Sequence, residues 1–206
     1  METNLSKVLK NGEKRVIGKY KQIVSAVMIC IAKIENKDYI IFEKRSLNIR
    51  QGGEISLPGG KYEAKDLNTK NTAIRETVEE LGITSDKIHM LGKFGTLVNP
   101  SGMILDTYIS KIDIAHYDEL KYNKAEVERI IFVPLDFFLK HSPKVEKIGL
   151  ENIPLFSTGK FNLPKKYEKP WPGRAREVYF YNFEGEVIWG MTAEIIYEFI
   201  KVFKRS

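Results

Sequence analysis

A glycine-rich turn that leads into an acidic helix, across residues 57–83, constrains this chain more than any other feature. The helix carries Glu76, Glu79 and Glu80. At about 100° per residue these carboxylates share one face of the helix, with Arg75 at its edge. Like charges four positions apart cost an isolated helix about 0.2–0.5 kcal/mol, so the crowding predicts that a positive group offsets it. Clustered oxygen ligands suit a hard divalent cation such as Mg²⁺ or Mn²⁺.

These residues resemble the signature of the Nudix hydrolases, G-x5-E-x7-R-E-U-x-E-E-x-G-U, in which U is a large apolar residue. Gly60 matches the first glycine, and Arg75-Glu76 together with the run at 79–83 matches the helical part. The chain departs from this general signature in two ways, with an extra residue before Arg75 and with Asp66 in place of Glu at the sixth position after the glycine. In both respects it resembles one subgroup, the coenzyme A pyrophosphatases.

Two further segments resemble the same subgroup. Residues 45–60 are similar to its second signature, R-[SA]-x3-R-x3-G-x3-F-P-G-G. Arg45 and Arg50 match this pattern, whereas one spacing is a residue shorter and Leu57 stands where Phe is usual. Residues 189–193 resemble a W-G-x-T-A segment that is also found there.

The resemblance implies a metal site on the acidic helix. Its expected ligands are the carboxylates of Glu76, Glu79 and Glu80 and the backbone carbonyl of Gly60. Glu76 is either a ligand or the base that deprotonates the attacking water, since members of the family differ on this point. Divalent cations neutralise phosphate charge and activate water near neutral pH, which is what diphosphate hydrolysis needs. Arg75 is expected to hold the carboxylates in place, because its planar guanidinium can bridge two of them.

A downstream acid and a basic loop complete the expected site. Glu126 is preferred to Glu128 as a further catalytic acid, with a plain surface position as the alternative reading. Arg45 and Arg50 are expected either to neutralise substrate phosphates or to anchor their loop through salt bridges. Gly59 has no Cβ, so the loop can approach a phosphate closely.

The resemblance also implies an α/β fold, a Nudix-type α/β/α sandwich with a mixed sheet and a metal site formed by the glycine loop and the helix. Hydrophobic spacing predicts strands that alternate with helices. Strands are expected at 23–32, 39–44, 87–96, 103–112 and 126–133, with a hairpin over 178–189. Helices are expected after Pro134 and from Thr192, whose side chain can cap the last helix.

The length of 206 residues corresponds to one ordinary domain with additions. We expect a basic N-terminal extension at 1–21 and a single domain at 22–206. Residues 141–177, rich in Pro, Gly and Lys, are expected to form an irregular excursion from the sheet.

Composition favours a cytoplasmic protein with an anionic small-molecule partner. The net charge of +6 favours anions, here a nucleoside diphosphate compound. The basic residues carry no base-reading or stacking motif, so nucleic acid is not an expected partner. No apolar run approaches the roughly 18 residues of a membrane span, so no membrane partner is expected. The single cysteine, Cys30, allows no internal disulfide, and the oligomeric state stays open.

Three functional hypotheses follow from the resemblance. The first is a metal-dependent hydrolase that cleaves the pyrophosphate of coenzyme A or a derivative. The second is a Nudix hydrolase of another nucleoside diphosphate compound, such as ADP-ribose, a dinucleotide or a capped RNA end. The third is a non-catalytic ligand sensor, which is disfavoured because Arg75, Glu76, Glu79 and Glu80 are all present.

Overall fold

The computed structural model of this protein describes Gly18 and residues 21–205. The extension expected at 1–21 therefore lies, except for Gly18 and Lys21, outside the described residues. The helices are α1 (Thr69–Leu81), α2 (Leu135–Lys140) and α3 (Gly190–Phe203). The first seven strands are β1 (Ile23–Ile34), β2 (Lys37–Arg45), β3 (Ile55–Ser56), β4 (Gly59–Lys61), β5 (Ile88–Asn99), β6 (Met103–Ile112) and β7 (Val127–Pro134). The later strands are β8 (Lys144–Ile148), β9 (Glu151–Asn152), β10 (Trp171–Pro172), β11 (Arg176–Phe183) and β12 (Glu186–Trp189).

The seven strands β1–β7 form one mixed sheet. β1 pairs in parallel with β6 along one edge, and every other pairing in this sheet is antiparallel. The second edge of β1 is shared, because β2 pairs with residues 30–34 and β4 with residues 25–27. β2 therefore leaves β1 part-way along and continues between β3 and β7. This divergence opens the sheet beside β4.

Helices cover both faces of the mixed sheet, which confirms the predicted α/β/α sandwich. Alternate side chains of β1 point to opposite sides, as the period of a strand requires. Met28 and Cys30 pack with Leu81 of α1, whereas Ile29 packs in a second cluster that includes Ile196 of α3. Cys30 is fully buried.

Local signals place α1 at its predicted position. Asn68 caps its N-terminus, where the side-chain oxygen accepts a hydrogen bond of 3.0 Å from the Asn71 amide. Gly82 ends the helix in the left-handed conformation that favours glycine. α3, by contrast, begins at Gly190, with Trp189 at the capping position and no side-chain cap. The predicted cap at Thr192 is therefore wrong, because the chain enters the helix directly from β12.

A second, three-stranded sheet in the order β12-β11-β8 follows α2. Residues 141–177 thus contain a regular strand, β8, which pairs with β11. The rest of that stretch consists of the short β9–β10 pair and two 3₁₀ turns, Thr158–Phe161 and Lys165–Tyr167. Within the described part of the chain, none of the helices has the length and apolar character that a bilayer crossing requires.

An aromatic cluster joins α2 to both sheets and provides a test of the packing. Phe138 is fully buried, with its ring 5.9 Å from Phe42 and 5.0 Å from Tyr181. Phe138→Ala should lower the free energy of unfolding by about 3–5 kcal/mol, because it removes apolar contacts and leaves a cavity. Chemical denaturation measures this loss. Phe161→Ala, at a largely exposed ring, should change stability by less than about 0.5 kcal/mol. Equal losses in the two variants would contradict the placement of Phe138 in the core.

Candidate active site

The glycine loop lies in the opening of the sheet because Gly59 and Gly60 have no side chains. β4 pairs with Ala26 and Val27 of β1, and Gly59 adopts φ +154°, a conformation that L side chains rarely adopt. A Cβ on Gly59 would overlap the Ala26 carbonyl oxygen. A Cβ on Gly60 would overlap the carboxylate of Glu76. The strand and the loop can therefore meet only with glycine at position 59, whereas a side chain at position 60 would displace the Glu76 carboxylate.

Arg75 holds three carboxylates together. Its Nε donates to Asp66 Oδ1 at 2.8 Å and its Nη2 to Asp66 Oδ2 at 3.1 Å, in the bidentate arrangement typical of arginine. The same guanidinium lies 2.8 Å from Glu76 and 3.2 Å from Glu79. The Arg75 guanidinium holds the pKa of Asp66 well below its usual range, and Thr72 adds a hydrogen bond to this carboxylate. The bridging geometry predicted for Arg75 is present, with Asp66 as an additional partner.

Glu80 is the most deeply placed acid of the helix. Its carboxylate is buried and accepts a hydrogen bond of 2.8 Å from the Gly59 amide. Burial raises its pKa, and the charge of the buried Glu43 on β2 raises it further. Glu79, in contrast, has a half-exposed side chain, so the three helix acids differ strongly in their contact with water.

Glu43 is a functional candidate that the sequence analysis missed. Its side chain is 1% exposed and accepts hydrogen bonds from Ser56 Oγ (2.9 Å) and Arg45 Nη1 (3.2 Å). Burial raises the pKa of Glu43 as well, whereas the hydrogen bond from Ser56 and the charge of Arg45 lower it. With both acids ionised, Glu43 Oε2 has no hydrogen-bond donor among the described residues. The signal that could have indicated Glu43 is an acid at the end of the otherwise apolar run of β2.

The downstream acid Glu126 faces the same cluster. It is exposed, and its charge raises the pKa of both Glu43 and Glu76. Its carbonyl accepts a hydrogen bond of 2.8 Å from the Ser46 amide, which ties it to the basic loop. Glu128 instead lies 3.9 Å from Lys44, a side chain that also contacts Glu186 on β12. The structure therefore separates Glu126, near the helix acids, from Glu128.

The two loop arginines have different surroundings. Arg45 contacts Glu43 at 3.2 Å, and its Nε donates to the Arg50 carbonyl at 3.3 Å. Arg45 thus anchors its own loop and balances a buried charge. Arg50 is exposed, and among the described residues its side chain has no ion-pair partner.

Comparison with known proteins identifies the family. The NUDIX domain profile matches residues 23–148, more than half of the chain. The protein belongs to the Nudix hydrolase family. It is 28% identical over 163 residues to "Uncharacterized Nudix hydrolase NudL" of Photorhabdus laumondii, covering 79% of this chain and 75% of that protein. It is 26% identical over 179 residues to Nudix hydrolase 3 of Caenorhabditis elegans, covering 77% and 73%.

One similar protein carries a substrate in its name. Mouse "Peroxisomal coenzyme A diphosphatase NUDT7" is 30% identical over 115 residues, which cover 55% of this chain and 48% of that protein. Among solved structures, the Nudix hydrolase RenU of M. smegmatis matches with a TM-score of 0.48 and 16% identity, covering 57% of this chain and 73% of that one. As a member of the Nudix hydrolase family, this chain is a Nudix pyrophosphatase, of a family that acts on nucleoside diphosphate derivatives.

Nudix enzymes use divalent metal cations, and the donor chemistry of this Nudix hydrolase fits such an ion. The acids near the glycine loop offer hard oxygen ligands, one of them the Glu43 oxygen that lacks a donor. Among the described residues, no three acidic, histidine or cysteine side chains converge as a ready metal centre. Instead, the Arg75 guanidinium forms ion pairs with Glu76 and Glu79, and the Gly59 amide donates a hydrogen bond to Glu80. These carboxylates can coordinate a cation only if their ion pairs with Arg75 and the hydrogen bond from the Gly59 amide rearrange.

The buried acids make metal-free stability depend on pH. A carboxyl whose pKa is raised by folding stabilises the native state while it is protonated, and this contribution is lost as pH rises above its ordinary value of 4.5. Without metal, the melting temperature should fall between about pH 5 and about pH 9, the raised pKa of Glu80. Glu80→Gln should flatten this slope, because the amide stays neutral and its oxygen can still accept from Gly59. Glu79→Gln, at a half-exposed side chain, should keep the slope. Thermal unfolding in EDTA measures all three proteins, and an unchanged slope in Glu80→Gln would contradict the raised pKa.

Proposed function

We propose that this Nudix hydrolase cleaves the pyrophosphate bond of coenzyme A or a related nucleoside diphosphate derivative, with Mg²⁺ or Mn²⁺ as its cofactor. The observation that carries the hydrolytic part is the buried acid pair Glu43 and Glu80 beside the Gly59–Gly60 loop. Two buried carboxylates with one oxygen lacking a donor are costly unless they share a proton or a cation joins them. The coenzyme A part rests on Arg45, Arg50 and residues 189–193, and on the similarity to the mouse coenzyme A diphosphatase.

The metal-binding residues proposed are Glu76, Glu79, Glu80 and the carbonyl of Gly60. A bound divalent cation would supply charge neutralisation for the diphosphate and an activated water. Glu43, which adds a buried charge beside Glu80, strengthens the negative field of the site.

The remaining residues orient the site and handle the proton and the phosphates. Arg75 positions Glu76 and Glu79, and is in turn oriented by Asp66. Glu76 and Glu126 are the two candidates to accept the proton of water, and their charges lie close enough to influence each other. Arg50 is available for a substrate phosphate, since its guanidinium is exposed. Gly59 allows the loop to approach it. A cytoplasmic location remains a prediction from the sequence.

The first test removes one ligand charge. Glu80→Gln should reduce turnover by several orders of magnitude, because it weakens the metal site while it preserves the shape of the side chain. Glu128→Gln should retain wild-type turnover, since Glu128 lies apart from the acid cluster. Activity is measured with Mg²⁺, with Mn²⁺ and with EDTA. Full activity of Glu80→Gln in EDTA would exclude the metal mechanism.

The same proteins provide a readout that does not depend on turnover. Mg²⁺ should stabilise the wild type by about 2.7 kcal/mol at a hundredfold excess over Kd, since it binds the native state. A Glu79→Gln/Glu80→Gln double variant should lose most of this response. An unchanged response would place the cation elsewhere.

The second test addresses the substrate with a panel of nucleoside diphosphate compounds. Coenzyme A carries a 3′-phosphate that ADP-ribose lacks, and a charge-assisted contact to phosphate is worth about 1.5–3 kcal/mol. Arg50→Ala should therefore lower kcat/KM for coenzyme A about tenfold to hundredfold and affect ADP-ribose much less. Arg45→Ala should impair both substrates, because it leaves the buried Glu43 without its cation.

The panel also defines what contradicts the assignment. Equal losses on both substrates in Arg50→Ala would mean that this arginine serves the shared diphosphate or the loop. A wild-type preference for ADP-ribose over coenzyme A would refute the coenzyme A proposal and leave the Nudix chemistry intact.

A further inference from the structure

Residues 153–176, here called the basic apolar segment, expose large apolar side chains to solvent. Leu155 is 94% exposed, Phe161 65% and Phe156 50%. The rings of Phe156 and Phe161 contact each other edge to face at 5.7 Å, so they form one apolar projection. A 3₁₀ turn at Thr158–Phe161 supports it, and Thr158 itself is buried. Exposed apolar patches of this kind mark contacts with a partner or a membrane.

The same segment concentrates positive charge. It contains six basic side chains and one acid, Glu168: Lys160, Lys165, Lys166, Lys169, Arg174 and Arg176. None of these six side chains forms an ion pair within residues 21–205. Lys166 lies 5.0 Å from the Tyr167 ring, which in turn contacts Trp171 at 5.1 Å. Tyrosine, tryptophan and lysine together suit the boundary between an apolar layer and anionic headgroups.

The segment is separate from the features that the hydrolytic site needs. The NUDIX domain match ends at residue 148, before the segment begins. No described residue of the acid cluster or of the glycine loop belongs to the basic apolar segment, and none forms a hydrogen bond or an ion pair with the segment. Its exposed cations and apolar side chains therefore require a different partner.

We propose that the basic apolar segment binds the surface of an anionic lipid bilayer, with Leu155, Phe156 and Phe161 entering the headgroup boundary and the lysines contacting lipid phosphates. A second copy of the chain fits less well, because a two-fold interface would bring two strongly positive segments together. This binding is peripheral. It differs from the expectation of no membrane partner, which rested on the lack of a spanning run.

The test uses the full chain and two kinds of vesicle, pure phosphatidylcholine and phosphatidylcholine with a one-third share of phosphatidylglycerol. Flotation should recover the wild type only with the anionic vesicles, and added salt should weaken binding. Lys165→Gln/Lys166→Gln should reduce affinity about twenty- to thirtyfold, since each cation near such a surface contributes about fivefold. Leu155→Ser/Phe156→Ser should reduce it at least about tenfold.

Matched controls change the same residue types elsewhere. Leu91→Ser alters a leucine that is 59% exposed on β5, and Lys33→Gln/Lys37→Gln alters two exposed lysines at the β1–β2 turn. Both should bind vesicles as the wild type does. Thermal unfolding checks that every variant is folded.

Several results would overturn the proposal. They are no wild-type binding to the anionic vesicles, equal binding to both kinds of vesicle, or unchanged binding in both segment variants. Binding to a single-stranded RNA oligonucleotide without binding to vesicles would assign the segment to nucleic acid instead. Self-association that Leu155→Ser/Phe156→Ser abolishes, again without lipid binding, would make it an interface between copies.

Discussion

The close approach of a side-chain-free strand to an acidic helix is the constraint on which the site depends. β4 can lie against β1 only because Gly59 carries no Cβ, since the Ala26 carbonyl takes the space that a side chain would fill. At Gly60 the Glu76 carboxylate takes that space. The Gly59 amide then becomes a hydrogen-bond donor to Glu80. β4 also occupies the edge of β1 that β2 has left, so the opening of the sheet and the position of the acids have one origin.

The arrangement concentrates negative charge where water is scarce, and only part of it is balanced by the protein. Arg75 balances the charges of Asp66, Glu76 and Glu79. In the buried pair Glu43 and Glu80, only Glu43 has a cationic partner, Arg45, and the pair otherwise relies on protonation and on hydrogen bonds. Repulsion between these acids lowers the free energy of unfolding of the metal-free protein. Functional sites often combine activity with such a loss of stability. Removing the repulsion by mutation would stabilise the fold and remove the affinity for a cation at the same time.

The C-terminal part of the chain has one face buried against the mixed sheet and another exposed to solvent. The helix α3 and the strands β11 and β12 bury their inner faces against the mixed sheet, where Ile188 and Ile196 join the aromatic cluster of α2. The outer side carries exposed groups, including Trp189, which stacks on Phe180. The basic apolar segment, which leads into β11, also exposes apolar side chains to solvent.

The sequence alone determined the features that depend on local spacing. The helical spacing of Glu76, Glu79 and Glu80 predicted the helix α1, and the order of Gly60, Arg75 and the helix acids indicated the family. Both patterns lie within one continuous stretch of the sequence. The acid at the end of the apolar run of β2 marks Glu43 in the sequence, but its role arises from the pairing of β2 with β3 and from the proximity of Glu80. The sequence could not distinguish Arg45 from Arg50, since only folding gives Arg45 a buried acid as its partner. Burial and long-range pairing are properties of the tertiary structure, and they decide which charged groups share a site.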